Sequence, residues 1–145
     1  MADHFIQGDA GDNTLTGVGT TGDVDHIAGL GGDDDLIPRG ASQNYLLGGD
    51  GNDAFIIKAK DLDAGAQDTI YDFGGAGGWI AGNNDFLALT GFGAGSSITS
   101  IVDSTKVDGL AYYTIHSTTF NEDFVISIAS TNGQHLTAGD FAFYG

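Results

Sequence analysis

The sequence predicts an all-β protein, in which a parallel β-roll of short strands is followed by an antiparallel C-terminal cap. Large apolar residues recur about every nine positions in the first 60 residues, and segments rich in glycine and aspartate separate them. Beyond residue 60, β-branched and aromatic segments alternate with turn sequences. Because no stretch shows a sustained helical period, helix is expected to be scarce.

The composition limits the classes of partner. The 145 residues are the length of one ordinary domain, and 25 of them are glycine. Twenty acidic residues, all aspartate except Glu122, accompany only four lysines and arginines, which gives a formal net charge of −16. So much negative charge opposes nucleic acid and anionic membranes as partners and favours cations.

Neither a disulfide nor a membrane segment is expected. The chain has no cysteine, which excludes a disulfide and a thiolate metal site. Its first residues, MADHFIQGDAG, lack the basic and apolar regions of a Sec signal peptide. No apolar run approaches the roughly 20 residues of a spanning helix, so we expect no membrane insertion.

A nine-residue repeat is clearest at residues 48–56, which read GGDGNDAFI with the apolar Phe55 in the eighth position. Residues 8–16 and 29–37 fit the same frame, and looser copies lie between them. Successive apolar positions are 9, 12, 9, 10 and 9 residues apart. These positions are Ile6, Leu15, Ile27, Leu36, Leu46 and Phe55.

Each repeat predicts a short strand and a turn. The apolar side chain points inward from the strand, and glycine allows positive φ and close backbone stacking in the turn. Two repeats make one coil, so turns 8–13, 29–34 and 48–53 are expected on one side, and turn 19–25 is expected to stack over 40–44 on the other. Facing turns bring together carbonyl and carboxylate oxygens, the hard ligands that Ca²⁺ prefers.

GGDGNDAFI resembles the nonapeptide GGxGxDxUx, in which U is a large apolar residue, of the RTX or haemolysin-type calcium-binding repeat. The resemblance implies a calcium-binding solenoid with several Ca²⁺ ions. In that family the sixth position supplies the main side-chain ligand, and glycine carbonyl oxygens complete the shell. The candidate metal ligands are Gly8, Asn13, Asp23, Asp25, Gly29, Gly31, Asp34, Asn44, Gly48, Asp50, Asp53, Asp63 and Asp68.

The two sides of the predicted roll differ in carboxylate content. On the first side every turn carries aspartate, and we expect one ion between each adjacent pair of turns. On the second side Asp23 and Asp25 face residues 40–44, which have no carboxylate, so ions there are expected to be weaker or absent. Asp9 and Asp35 fall outside the ligand positions and are expected to be solvated.

The second half is predicted to close the roll, so that residues 1–60 and 61–145 form one continuous domain. The sequence DTIYDF at residues 68–73, followed by DFLAL, resembles the closing chain of serralysin C-terminal domains and of alginate epimerase R-modules. That resemblance implies a last ion at Asp68, with Asp61 and Asp63 behind it.

An aromatic-rich antiparallel cap is expected to cover the open end of the roll. Its predicted strands are residues 98–102, 110–117, 124–129 and 141–144. The closing LTAGDFAFYG resembles the end of RTX domains, which carries an uncleaved type I export signal in that family.

The sequence offers no support for catalysis. Its four histidines are scattered, and no HExxH or GxSxG pattern is present. We therefore expect a non-catalytic, calcium-binding module of a secreted protein. It would stay loose in the calcium-poor cytosol, pass a type I secretion channel without a Sec signal, and fold on Ca²⁺ outside the cell. In the parent protein it would act as a C-terminal stabilising and secretion module.

The alternative is a calcium-dependent module that binds a polysaccharide or another surface. By resemblance to the epimerase R-modules, alginate is the first ligand to test. Alginate is anionic, and the basic residues that could meet it are Arg39, Lys58, Lys60 and Lys106. Aromatic side chains could stack on sugar rings or could instead be buried in the cap. These are Trp79, Tyr112 and Tyr113.

Overall fold

The computed structural model describes residues 1–78 and 83–145. Over these residues the chain forms twelve strands and one five-residue helix, so the all-β prediction is confirmed. The elements are β1 (Asp3–Gln7), β2 (Thr14–Thr16), β3 (Val24–Ala28), β4 (Asp35–Ile37), β5 (Gln43–Leu47), β6 (Ala54–Lys58), α1 (Ala59–Asp63), β7 (Gln67–Phe73), β8 (Phe86–Thr90), β9 (Ser97–Asp103), β10 (Leu110–Ser117), β11 (Glu122–Ser130) and β12 (Phe141–Tyr144). No helix in this described part of the chain is long and apolar enough to cross a bilayer.

Successive strands from β1 to β8 alternate between two sheets. Strands β1, β3, β5 and β7 pair in parallel in one sheet, and β2, β4, β6 and β8 pair in parallel in the other. Each strand therefore lies beside the strand two further along the chain. Ile27, for example, is in register with Ile6 on one side and Leu46 on the other.

The second half extends both sheets. β11 joins β7 in parallel, and β10 and β9 continue antiparallel to give a seven-stranded sheet. β12 joins β8 in parallel and completes a five-stranded sheet. The predicted antiparallel cap is therefore wrong for residues 141–144. The chain crosses to the other sheet after β11 and enters it in the direction of β8, which makes the pairing parallel.

The core lies between the inward faces of the two sheets. Of the six apolar repeat positions, Leu15, Ile27, Leu36, Leu46 and Phe55 are buried, and Ile6 is partly buried against the same cluster. Strands β2 and β4 bury one side chain each, and β5 buries two. Stability consequently depends on stacking many such strands, because no single unit buries enough apolar area.

Candidate metal centre

Four turns on one side of the molecule stack so that their last residues form a column, here called the first column. It consists of Asn13, Asp34, Asp53 and Asp85, which directly precede β2, β4, β6 and β8. The backbone N–H of Asn13 donates to Asp34 Oδ1 at 2.7 Å, and that of Asp34 donates to Asp53 Oδ1 at 2.9 Å. The N–H of Asp53 donates to Asp85 Oδ1 at 2.9 Å. The column is thus one continuous ladder of backbone-to-carboxylate hydrogen bonds.

Two carboxylates of the first column keep one oxygen without a partner. Asp34 and Asp53 are each only 1% exposed, and Oδ2 of both makes no hydrogen bond within the described residues. A buried carboxylate oxygen without a donor is costly, because it has lost water and gained nothing in return. A cation is one partner that would satisfy it.

A glycine carbonyl oxygen lies next to the free oxygen of Asp34, and another lies next to Asn13 Oδ1. A Cβ added at Gly29 would clash with Asp34 Oδ2 and would lie 2.6 Å from the carbonyl oxygen of Gly48. A Cβ added at Gly8 would likewise clash with Asn13 Oδ1 and lie 2.6 Å from the carbonyl oxygen of Gly29. Side-chain and carbonyl oxygens therefore converge between adjacent turns, at places that only glycine leaves open. This is the donor chemistry of a Ca²⁺ site.

Asp85 and Asp72 are members of this region that the sequence analysis missed. Asp85 is 1% exposed and accepts the N–H of Gly74 as well as that of Asp53. Asp72 accepts the N–H groups of Gly48 and Gly49. The signal for Asp85 was the order Asn-Asp-x-apolar, which residues 84–87 share with residues 52–55.

The fifth position of each turn forms a second ladder, nearer to solvent. Asp33 N–H donates to Asp12 Oδ1 at 2.7 Å, and Asn52 N–H donates to Asp33 Oδ1 at 2.8 Å. Asp50, a predicted ligand, is exposed on its turn, and Gly31 packs against the backbone of Ala10. The structure therefore does not bring Asp50 into the first column.

A second column runs along the other side, at the second residue of β3, β5 and β7. Asp25, Asn44 and Asp68 are in register there and are buried. Asn44 Nδ2 donates to Asp68 Oδ1 at 2.8 Å, whereas Asn44 Oδ1 and Asp25 Oδ1 have no partner among the described residues. Asp25 Oδ2 accepts the N–H of Gly19. This side thus offers unpartnered oxygens as well, although Asn44 replaces a carboxylate in its middle.

Two other predicted ligands lie apart from both columns. Asp23 accepts the N–H of Ala2 and pairs with His4 Nε2 at 2.9 Å, and the hydrogen bond to His4 lowers the pKa of Asp23. Asp63 is exposed at the end of α1, beside Glu122. The hydrogen bond to Asp63 raises the pKa of Glu122.

Burial raises the pKa of five carboxyl groups in and beside the two columns. Desolvation raises the pKa of Asp53 to about 8, of Asp68 to about 7 and of Asp85 to about 6. Burial also raises the pKa of Asp34 and Asp72. In each case the loss of water outweighs the hydrogen bonds that favour the charged form, which come from backbone N–H groups or, for Asp68, from the Asn44 side chain. A bound divalent ion would favour the ionised carboxylates and so lower their pKa values.

The donor set differs from that of a side-chain metal cluster. Among the residues that the structure describes, no three His, Cys, Asp or Glu side chains are grouped to hold a metal ion. The oxygens that converge at Asn13 and Asp34 are instead one side-chain oxygen and one glycine carbonyl oxygen each. Such oxygen-only sets fit Ca²⁺, which takes six to eight oxygens in flexible geometry, and they do not fit Zn²⁺.

Comparison with known proteins gives no further constraint, since no protein-family model, no curated protein and no solved structure matches this chain.

Proposed function

We propose that the chain is a calcium-binding β-roll module of the RTX type, which folds when Ca²⁺ fills its turns. The observation that carries the proposal is the set of buried oxygens without partners on Asp25, Asp34, Asn44 and Asp53. All four belong to the sixth position of a repeat. The nine-residue spacing and the free oxygens are independent observations, and they select the same residues.

The strand pairing supports the β-roll. A coil of two repeats requires each strand to pair in parallel with the strand two further along, and β1 to β8 pair in this way. In such a roll the turns of adjacent coils face each other. Ions between them would be held by oxygens from two turns, so that each ion would tie one coil to the next.

Ion binding would supply cohesion that the chain lacks. Two exposed carboxylates about 7 Å apart repel by roughly 0.6 kcal/mol even in bulk water, and this chain has a net charge of −16. A site filled at ten times its dissociation constant adds about 1.4 kcal/mol. Several filled sites would decide whether a domain of ordinary, marginal stability folds.

This coupling suggests the biological role. At cytosolic calcium the sites stay empty, and the loose chain can pass a type I secretion channel. Outside the cell, extracellular modules bind calcium near 10⁻⁴–10⁻³ M. The module would then fold after export and stabilise the protein that carries it, with no catalytic task of its own.

Circular dichroism tests the proposal directly. We expect the metal-stripped chain to give a largely disordered far-UV spectrum, and millimolar Ca²⁺ to produce a β-rich spectrum and a cooperative thermal transition. Millimolar Mg²⁺ is the control, because it demands a small octahedral site and keeps its waters. A metal-stripped sample that melts as hot and as cooperatively as the calcium-loaded one contradicts the proposal.

A second candidate function is polysaccharide binding by the same scaffold. The observation that favours it is a cavity of about 440 Å³ beside Tyr112, which is 41% exposed. Gln67, Thr69 and Ser127 also line this cavity and offer hydrogen-bonding groups. Tyr113 is buried and its hydroxyl accepts the Leu136 N–H, so it cannot stack on a sugar. Trp79 lies outside the described residues.

Affinity gel electrophoresis separates the two candidates. Calcium-loaded protein is run through gels that contain alginate or a neutral β-glucan, and Tyr112→Ala is compared with Val102→Ala, another exposed apolar residue of the same sheet. Retardation that is lost only with Tyr112→Ala supports polysaccharide binding. Equal mobility in all gels leaves calcium-dependent folding as the sole function.

A further inference from the structure

Three of the four basic side chains of this acidic protein surround one cavity. Arg39, Lys58 and Lys60 line a cavity of about 390 Å³ near the ends of β2, β4 and β6. The other polar side chains that line it are Thr16 and Asp61. Lysine and arginine number four in the whole chain, so the convergence of three of them on one cavity requires a physical reason.

Within the part of the chain that the structure describes, none of the three basic side chains pairs with a carboxylate. The ion pairs within 4.0 Å among the described residues are His4–Asp23, His116–Asp123 and His135–Asp103. Asp61 lines the same cavity, yet it forms no such pair with its basic neighbours. In a chain with 20 acidic residues, cations placed only for neutralisation would be expected beside carboxylates. These three instead line one cavity together.

Gathered cations that lack partners repel one another and attract an anion. Arginine presents a planar fork of donors that matches the oxygens of a carboxylate, sulfate or phosphate group, and lysine adds a compact charge. We propose that the cavity of Arg39, Lys58 and Lys60 binds an oxyanion carried by a small or otherwise uncharged molecule. The cavity borders the second column, since Gly19, which lines it, donates its N–H to Asp25 Oδ2, but none of its three basic side chains belongs to that column. The anion site goes beyond the proposed function.

The surroundings define the carrier. Lys58 and Lys60 also line an adjoining cavity of about 280 Å³, together with Thr90, Thr119 and Phe120. The adjoining cavity is lined by hydroxyl groups and an aromatic ring, which suit the uncharged part of a ligand, such as a sugar ring. The acidic columns in the rest of the molecule repel a long polyanion. A ligand with one oxyanion and an uncharged body fits both cavities, and a sugar acid is an example.

The test is an NMR titration of ¹⁵N-labelled protein at 1 mM Ca²⁺, with glucuronate, sulfate and neutral glucose as separate probes. We expect glucuronate to shift the amide signals of Thr16, Gly19, Gly40 and residues 58–61, and glucose to leave them unchanged. Arg39→Gln is expected to weaken binding about tenfold. Lys106→Gln removes the same charge at an exposed place far from the cavity along the chain, and we expect it to change the affinity less than about twofold.

Each outcome decides the proposal. Binding of glucuronate alone identifies a sugar-acid site, and equal binding of sulfate identifies a general oxyanion site, so both support it. Absence of localised shifts up to about 20 mM of either anion overturns it, as does equal weakening by Arg39→Gln and Lys106→Gln. Circular dichroism with and without Ca²⁺ on the same samples reports on the proposed function separately, since calcium-dependent folding does not require an anion.

Discussion

At the scale of single residues, Asp34 and Asp53 of the first column each use one carboxylate oxygen as a hydrogen-bond acceptor and leave the other without a partner among the described residues. Asp34 Oδ1 accepts the Asn13 N–H, whereas Asp34 Oδ2 remains free beside Gly29. Asp53 is divided in the same way between the Asp34 N–H and its own free oxygen. One aspartate side chain can therefore cap a turn and also bind a metal ion, because each role would use a different oxygen.

Replacing Asp53 with asparagine separates these tasks. Asparagine keeps an Oδ1 acceptor for the Asp34 N–H but loses the negative charge that would face the proposed ion. We expect Asp53→Asn to weaken calcium binding at least about tenfold, which corresponds to about 1.4 kcal/mol. Isothermal titration calorimetry measures this. Asp35→Asn, at an exposed strand position, is the matched control and should leave the affinity unchanged. Equal affinity of the two variants would count against Asp53 as a ligand.

Gly29 tests the glycine requirement at a position where φ is not the reason for it. A Cβ there would meet Asp34 Oδ2 and the Gly48 carbonyl oxygen, so Gly29→Ala must displace one of the two. In the presence of Ca²⁺ we expect the free energy of unfolding to fall by about 1–3 kcal/mol, the usual cost of overpacking. Calcium binding should also weaken. The control is Gly139→Ala, which meets nothing within 4 Å. Urea unfolding in calcium compares the two, and equal midpoints would contradict the convergence of oxygens.

At the scale of elements, one carboxylate fixes the last strand. Asp140 Oδ2, directly before β12, accepts the N–H groups of Gly77 and Thr137, each at 2.8 Å. The Asp140 carbonyl oxygen accepts the Leu87 N–H from β8. Asp140 is 3% exposed, so its side chain links the loop after β7 to the start of β12 in a region that water barely reaches.

Asp140→Ala should therefore loosen β12. The change leaves two backbone N–H groups without their acceptor, and each unsatisfied buried group costs about 1–3 kcal/mol. In the presence of Ca²⁺ we expect the free energy of unfolding, measured with urea, to fall by about 2–3 kcal/mol in total. Backbone hydrogen exchange in residues 141–144 should become faster. Asp108→Ala, at an exposed position, should change stability by less than about 0.5 kcal/mol. A loss no larger than that of the control would show that β12 is held by other contacts.

The same elements show how far sequence reasoning reached. The nine-residue period predicted the inward residues Leu36 and Phe55 and the positions of Asp34 and Asp53, because periodicity and turn chemistry are local properties. Asp85 was missed because the long segment between β7 and β8 breaks the period, and only three-dimensional stacking returns it to the column. The direction of β12 was missed for a similar reason. A strand sequence does not encode which partner it will find after a long crossover.

At the scale of the whole molecule, the folded structure buries several carboxyl groups in the turn columns, where ionising them costs free energy. The folded chain without metal carries Asp53, Asp68 and Asp85 with pKa values raised by burial to about 8, about 7 and about 6, from an ordinary value of 3.8. Each of these groups binds a proton more tightly when folded than when unfolded. Protons and calcium ions should therefore act as alternative stabilisers of the same fold.

The expected pH dependence of the metal-free chain follows because these pKa values are higher in the folded chain than in the unfolded chain. Stabilisation by the proton is complete below the unfolded pKa near 4 and is lost as the pH rises through the folded values of about 6, 7 and 8. Protein stripped on a chelating resin should thus be largely disordered at pH 8 and should gain a cooperative transition, with a higher Tm, at pH 5. Addition of 2 mM Ca²⁺ should raise the Tm most at pH 8. Asp53→Asn is the discriminating variant, because it removes the carboxyl group with the highest of these three pKa values. It should flatten the dependence between pH 6 and 8. A Tm of the stripped wild-type protein that falls between pH 8 and pH 5 would refute this coupling of protons, calcium and fold.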